Sequence, residues 1–176
     1  MRWLLRALAA LIGVVIVGFG VVAMAARFSD GSIGPFPGGP LESGEWVRGE
    51  EPDWSFARDI PTLDFQLVTP PRSRTIWLLV HDRRLFVVSG YMNTTLGGLW
   101  KQWPLEAESD PRAVIRVDGK RYARRLERIR APELYAPLAT EIRRKYGVPA
   151  TPETFERGDT WLYELLPREG GELATP

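Results

Sequence analysis

No cysteine occurs anywhere in the chain, and His81 is its only histidine. The first absence excludes disulfides, thiol nucleophiles and thiolate metal sites. The second leaves no imidazole set for zinc, and a Ser-His-Asp triad would have to run through His81 although no G-x-S-x-G elbow is present. There is no P-loop, no GxGxxG fingerprint and no paired-carboxylate signature. Charge of one sign is also missing: 23 Lys and Arg against 22 Asp and Glu give a formal +1, so nothing draws the chain toward nucleic acid. What remains is 176 residues, 44% hydrophobic and 26% charged, enough apolar material for one core of about 130 residues.

One long apolar run is present. Ala7 to Ala26 carries no charge, and about 20 helical residues cross the ~30 Å hydrocarbon layer. Residues 4–26 are therefore the expected bilayer contact, within an anchor at 1–27. Arg2 and Arg6 precede the run and favour a cytoplasmic N-terminus, although Arg27 beyond it weakens the asymmetry. Ala23-Met24-Ala25 resembles a signal-peptidase site, but the run exceeds the usual ~7–15 residue h-region, which favours a retained anchor. Both readings give a single-pass or exported protein of the cell membrane with its main domain on the extracytoplasmic side.

Residues 28–53 form a Gly- and Pro-rich linker in which Phe28 to Gly44 can hold neither a helix nor a central strand. It reads as a spacer, or, through Ile33, Phe36, Pro37 and Leu41, as an arm packed on the domain. Glu50, Glu51 and Asp53 read as solvated. Trp46 and Val47 suit a brief strand, and Trp54 with Phe56 suits a turn anchored on the domain at 54–176.

Within that domain, alternation predicts strands over Asp64–Thr69, Arg74–His81, Leu85–Ser89, Ala113–Val117, Arg121–Ile129 and Thr160–Leu166. Asp82-Arg83 and Asp118-Gly119 are the hairpin turns, the second demanding positive φ. Arg124, Arg125 and Arg128 read as a basic outer or rim surface. A helix is expected over Pro132–Tyr146, with Leu138, Ile142 and Tyr146 on one face and Gly147 as its stop. The fold class that follows is mainly β with minor α: a six-stranded antiparallel barrel with one or two packed helices, behind one transmembrane helix.

From Asp64 to Leu166 the order of elements resembles the FMN-binding split β-barrel superfamily, which includes pyridoxamine-phosphate-oxidase-like and deazaflavin-dependent nitroreductase-like proteins. The resemblance rests on PRSRTIWLLV (Pro71–Val80), RRLFVVSGY (Arg83–Tyr91), the Trp-Lys crossover Leu99–Pro104 and DPRAVIRVDGKRYARRLERI (Asp110–Ile129). It implies FMN or a deazaflavin as cofactor, hydride transfer to a small acceptor, and a homodimer with the cofactor at its interface. It also implies phosphate contacts from Arg72, Ser73, Arg74 and Lys101, and ring or phosphate contacts from Tyr91, Asn93, Thr94 and Thr95. Trp100 and Trp103 would flank a planar anionic ligand; three apart on a helix, they share a face and suit core or dimer packing equally. The chain departs from the nitroreductase-like pattern at Pro70 to Arg74, where a Gly-rich basic turn is missing and with it a backbone cradle for phosphate. A barrel without cofactor or catalysis, binding a small ligand or an envelope protein, is therefore the second expectation. The sequence leaves enzyme or non-enzyme open.

Overall fold

The computed structural model describes residues 2–94 and 102–168. Six strands close on themselves: β2 (Thr62–Leu67), β3 (Ser73–His81), β4 (Arg84–Ser89), β5 (Arg112–Val117), β6 (Lys120–Arg128) and β7 (Trp161–Pro167). Their order is β6-β5-β2-β3-β4-β7, and β6 pairs with β7 to complete the ring; every pairing among the six is antiparallel. A two-residue β1 (Glu45–Trp46) lies parallel on β6 outside the ring. The expected barrel is thus present, with strand limits within two residues of those read from the alternation at most ends.

Period-two alternation decides which residues fill the ring. Leu63, Phe65 and Leu67 of β2 point inward, as do Leu78 and Val80 of β3, Leu85 and Val87 of β4, and Ala113, Ile115 and Val117 of β5. Tyr122 and Leu126 of β6 and Tyr163 and Leu165 of β7 complete the interior. Both tight hairpins use left-handed residues, Asp82 and Arg83 at φ 47° and 62°, Asp118 and Gly119 at 49° and 71°, the geometry that matches strand twist.

On the outside, Leu79, Phe86 and Leu162 meet a second cluster. The expected helix supplies its other half, but in two pieces: a 3-10 turn (Pro132–Leu134) and then an α-helix (Tyr135–Tyr146). Leu138 and Ile142 are buried on its inner face, and Gly147 stops it at φ 64°. Two shorter helices, Trp103–Ser109 and Pro152–Glu156, go beyond the one or two expected. In chain order the helices are α1 (Arg2–Ala26), α2 (Trp103–Ser109), α3 (Tyr135–Tyr146) and α4 (Pro152–Glu156).

α1 is long and apolar enough to cross a membrane. The Gly/Pro-rich stretch after it is laid on the barrel. Gly38 N–H donates to Ser73 O at 2.8 Å, Leu41 is buried with its N–H on Gln66 Oε1 at 2.6 Å, and Asp30 forms an ion pair with Arg116 at 2.8 Å. Glycine is required where the arm crosses itself, because a Cβ on Gly38 would lie 2.5 Å from Ser73 Oγ and closer still to the Gly31 carbonyl.

Two readings are corrected here. Arg124 is not on an outer surface: it shares the inward face of β6 with Tyr122 and Leu126, is 3% exposed, and lies 5.0 Å over the Trp54 ring. Its partner is Glu51, at 2.6 Å, so that carboxylate is not merely solvated. Asp53 likewise caps the 3-10 turn Trp54–Ala57 by accepting the Ser55 N–H.

Candidate functional site

A barrel this narrow has no room for a ligand inside. Trp54, packed edge-on to Tyr122 at 4.9 Å, belongs to the core. So does Trp103, 3% exposed, with its ring 5.0 Å from Phe65 and 5.4 Å from Tyr163. Tyr163 also donates to Pro104 O at 3.2 Å, and burial pushes its phenol well above the ordinary tyrosine range. The Trp103 indole is therefore occupied by core packing. Thr95, Trp100 and Lys101 lie outside the described residues.

Strand alternation separates Ser73 from Arg74, and Arg72 lies in the turn before β3, its N–H donating to Pro70 O. Ser73 pairs with Gln66 on the outer face, beneath the arm; its hydroxyl is buried and has no hydrogen-bond partner among the described residues. Arg74 pairs with Phe65 and follows that residue's inward side. Burial lowers the Arg74 guanidinium pKa, Glu106 of α2 opposes the shift and Arg72 adds to it, and its Nε has no hydrogen-bond partner among the described residues. A phosphate held by Arg72 and Arg74 would thus not reach the Ser73 hydroxyl. The three side chains do not form one cradle.

Tyr91, Asn93 and Thr94 do converge with something, a loop the sequence did not single out. Where β4 runs out, Met92 N–H donates to Asp159 O at 2.9 Å, and Asn93 Nδ2 donates to Arg157 O at 2.8 Å and Asp159 Oδ1 at 3.0 Å. Tyr91 takes φ 62°, which turns the chain out of the strand, and Thr94 Oγ1 donates back to Tyr91 O at 2.9 Å. Beside this junction an open cleft of about 290 Å³ is lined by Arg128, Arg130, Tyr135, Arg157, Thr160 and Trp161, among others. The Arg128 guanidinium lies 3.4 Å from the Trp161 ring centroid and pairs with Glu108 at 2.9 Å. Arg157 pairs with Asp159 at 3.0 Å; that hydrogen bond and the one from Asn93 hold the Asp159 carboxyl below its usual range. Arg130 is exposed. Cations over an aromatic floor suit a flat anion. Arg128 belongs to the basic rim expected from the sequence, whereas Trp161 reads there only as a strand residue; their place at one end of adjacent strands is the signal that points to the cleft.

Of the cleft's three arginines only Arg130 has no ion pair among the described residues, and Glu156 also lines the cleft. In other regions, too, the charges satisfy one another. A hollow of about 370 Å³ contains Asp64, Arg116 and Asp118. Arg116 binds Asp64 at 2.9 Å as well as Asp30. Partial burial disfavours the Asp30 charge, but bonds from Ser43, the Glu42 N–H and Arg116 outweigh it and hold the pKa at about 2. On α3, Lys145 donates to Leu78 O at 2.9 Å. Burial lowers its pKa to about 8, with Arg144 adding to the shift and Glu141 opposing it. The unfolded chain therefore binds a proton that the folded one has released above pH about 8, and stability contributed here rises from there toward the ordinary lysine range. A side-chain ¹³Cε titration of selectively labelled lysine should show one midpoint near 8; an ordinary midpoint for every lysine would refute the burial argument.

No protein-family model and no curated protein matches the chain. Among solved structures it is similar to a conserved hypothetical protein from Mycobacterium tuberculosis, at 15% identity and TM-score 0.47 over 68% of this chain and 82% of that one. It is also similar to a putative pyridoxamine 5'-phosphate oxidase from Listeria innocua, at 11% and 0.44 over 62% and 85%. A third, an F420 reductase, matches at 13% and 0.45 over 68% and 96%.

Proposed function

We propose that this is a membrane-anchored barrel that binds a small, flat, anionic ligand in the cleft between the end of β4 and the start of β7. The observation that carries the reading is that Arg130 and Arg157 line one cleft with Trp161 and the Arg128 guanidinium lying on its ring, beside Asn93. The volume lies at the lower end of the range for ligand pockets, so the cleft encloses one end of such a molecule and the rim at Tyr91 to Thr94 borders the rest. FMN and deazaflavins are the ligands of this shape that the sequence resemblance implies. Arg130 would meet the anion, and the Arg128 guanidinium lying on Trp161 would support a ring. Hydride transfer is the chemistry a cofactor of this class supplies; the protein's part is to bind and orient. The main domain then faces away from the cytoplasm, as the arginines before α1 suggest.

Fluorescence titration of the purified full chain with FMN and with a deazaflavin tests this directly. Saturable binding is expected, with Arg130→Glu weakening it about tenfold or more, the worth of one charge-assisted contact. Arg130 is exposed, so this variant should fold normally. No binding of either compound, or binding indifferent to Arg130→Glu, would rule the site out.

A further inference from the structure

The arm makes an apolar turn beside the anchor helix. Gly31 to Leu41 contains no charged residue, and its tip is Ile33-Gly34-Pro35-Phe36. Ile33 N–H donates to Phe36 O at 3.1 Å and Phe36 N–H to Ile33 O at 3.0 Å, a closed two-residue turn. Its apolar side chains are not turned into the barrel: Ile33 is 43% exposed, and nearby Phe28 is 85% exposed. The Phe36 ring instead meets Phe19 of α1 edge-on, with centroids 5.7 Å apart.

That contact fixes a depth. Phe19 lies about 10 Å along the helix before Ala26. The uncharged run is only as long as a bilayer is thick, with Arg6 before it and Arg27 after it. The helix therefore cannot rise far without leaving apolar residues in water. We infer that the Ile33–Phe36 turn dips into the same leaflet that α1 leaves, resting at the headgroup–acyl boundary as a second lipid contact. The inference depends on α1 being a membrane span.

Backbone chemistry permits this. Unpaired N–H groups are what usually bar irregular chain from lipid. Pro35 and Pro37 have none, and those of Ile33, Phe36 and Gly38 are bonded. Between Ile33 and Gly38 the Gly34 N–H alone lacks a partner among the described residues, and the free carbonyls near it can reach headgroup water at that depth. A protein partner would also cover an apolar tip, but contact with the apolar span itself favours lipid.

The native absence of cysteine makes the test clean. Ile33→Cys, Val15→Cys in the middle of α1 and Ser55→Cys at the opposite end of β3 each receive one bimane. The full-length protein is then reconstituted in phosphatidylcholine vesicles with nitroxide placed either high or deep on the acyl chains. The expected result is quenching of the Ile33 label by the high nitroxide, of the Val15 label by the deep one, and of the Ser55 label by neither. Pro35→Cys serves as a second probe of the tip. If Val15 is quenched while both tip labels behave like Ser55, the dip is wrong and the anchor stands. If the tip labels are shielded from water yet unquenched, protein covers the turn and the inference fails. If Val15 is not quenched either, the span reading falls and the inference with it.

Discussion

Trp103→Ala should cost about 3–5 kcal/mol of stability, the usual loss on truncating a large aromatic in a packed interior. The indole is 3% exposed between Phe65 of β2 and Tyr163 of β7, so its removal leaves a cavity that two hydrogen-bonded strands cannot close. Urea unfolding of the full chain in detergent, followed by far-ultraviolet circular dichroism, gives the number. The result separates two roles for this residue. A ring held out for a planar ligand would lower affinity when removed and leave the midpoint almost unchanged. An unchanged midpoint would therefore return Trp103 to the ligand site and remove it from the core. Trp103→Phe should recover part of the loss, because a smaller ring still fills part of the same space.

Gly38→Ala should loosen the arm. One methyl group there overlaps the Gly31 carbonyl, which is backbone and cannot turn away, and presses on Ser73 Oγ. Overpacking of this kind costs about 1–3 kcal/mol. The bonds lost first are those between Gly38, Gly39 and Ser73 and then the Leu41 bond to Gln66. Tryptic cleavage after Arg27 reports on this opening, and about a tenfold to hundredfold rise in rate is the corresponding change. Pro40→Ala, at an exposed position of the same arm, should leave the rate as it was. Equal rates for the native chain and Gly38→Ala would mean that the arm does not hold the position described.

The ring of strands was legible because its signal is local. Val114 and Arg116 alternate with Ala113, Ile115 and Val117, and Asp118-Gly119 permits only one kind of hairpin. The anchor was legible for the same reason. Arg124 falls inside by the same rule that places Tyr122 and Leu126 there; its charge argues the other way, and the compensating Glu51 lies 73 positions away. Pairing at that separation leaves no trace in a single sequence. The arm shows the reverse case. Its glycines and prolines read as slack, yet at Gly38 the missing side chain is what allows two segments to touch.

The candidate site was only half legible. Tyr91, Asn93 and Thr94 were named for their position after a strand. Their neighbours Arg157, Asp159 and Trp161 come from a connection more than sixty residues later, brought alongside because β4 pairs with β7. The Arg72-Ser73-Arg74 triplet looked like one anion-binding group because its members are adjacent in sequence. In a strand adjacency does the opposite, sending successive side chains to opposite faces.

The pairing of β6 with both β5 and β7 has a further consequence. Closure through β6 and β7 cuts the sheet's edges to short pieces among the described residues, such as the two-residue β1 and the half of β3 from Ser73 to Trp77 that pairs with β2 but not with β4, so another chain has little length on which to add a strand. Edges this short favour contacts through side chains or α1 wherever the protein meets a second copy, and they disfavour the edge-to-edge stacking that leads open sheets into fibrils.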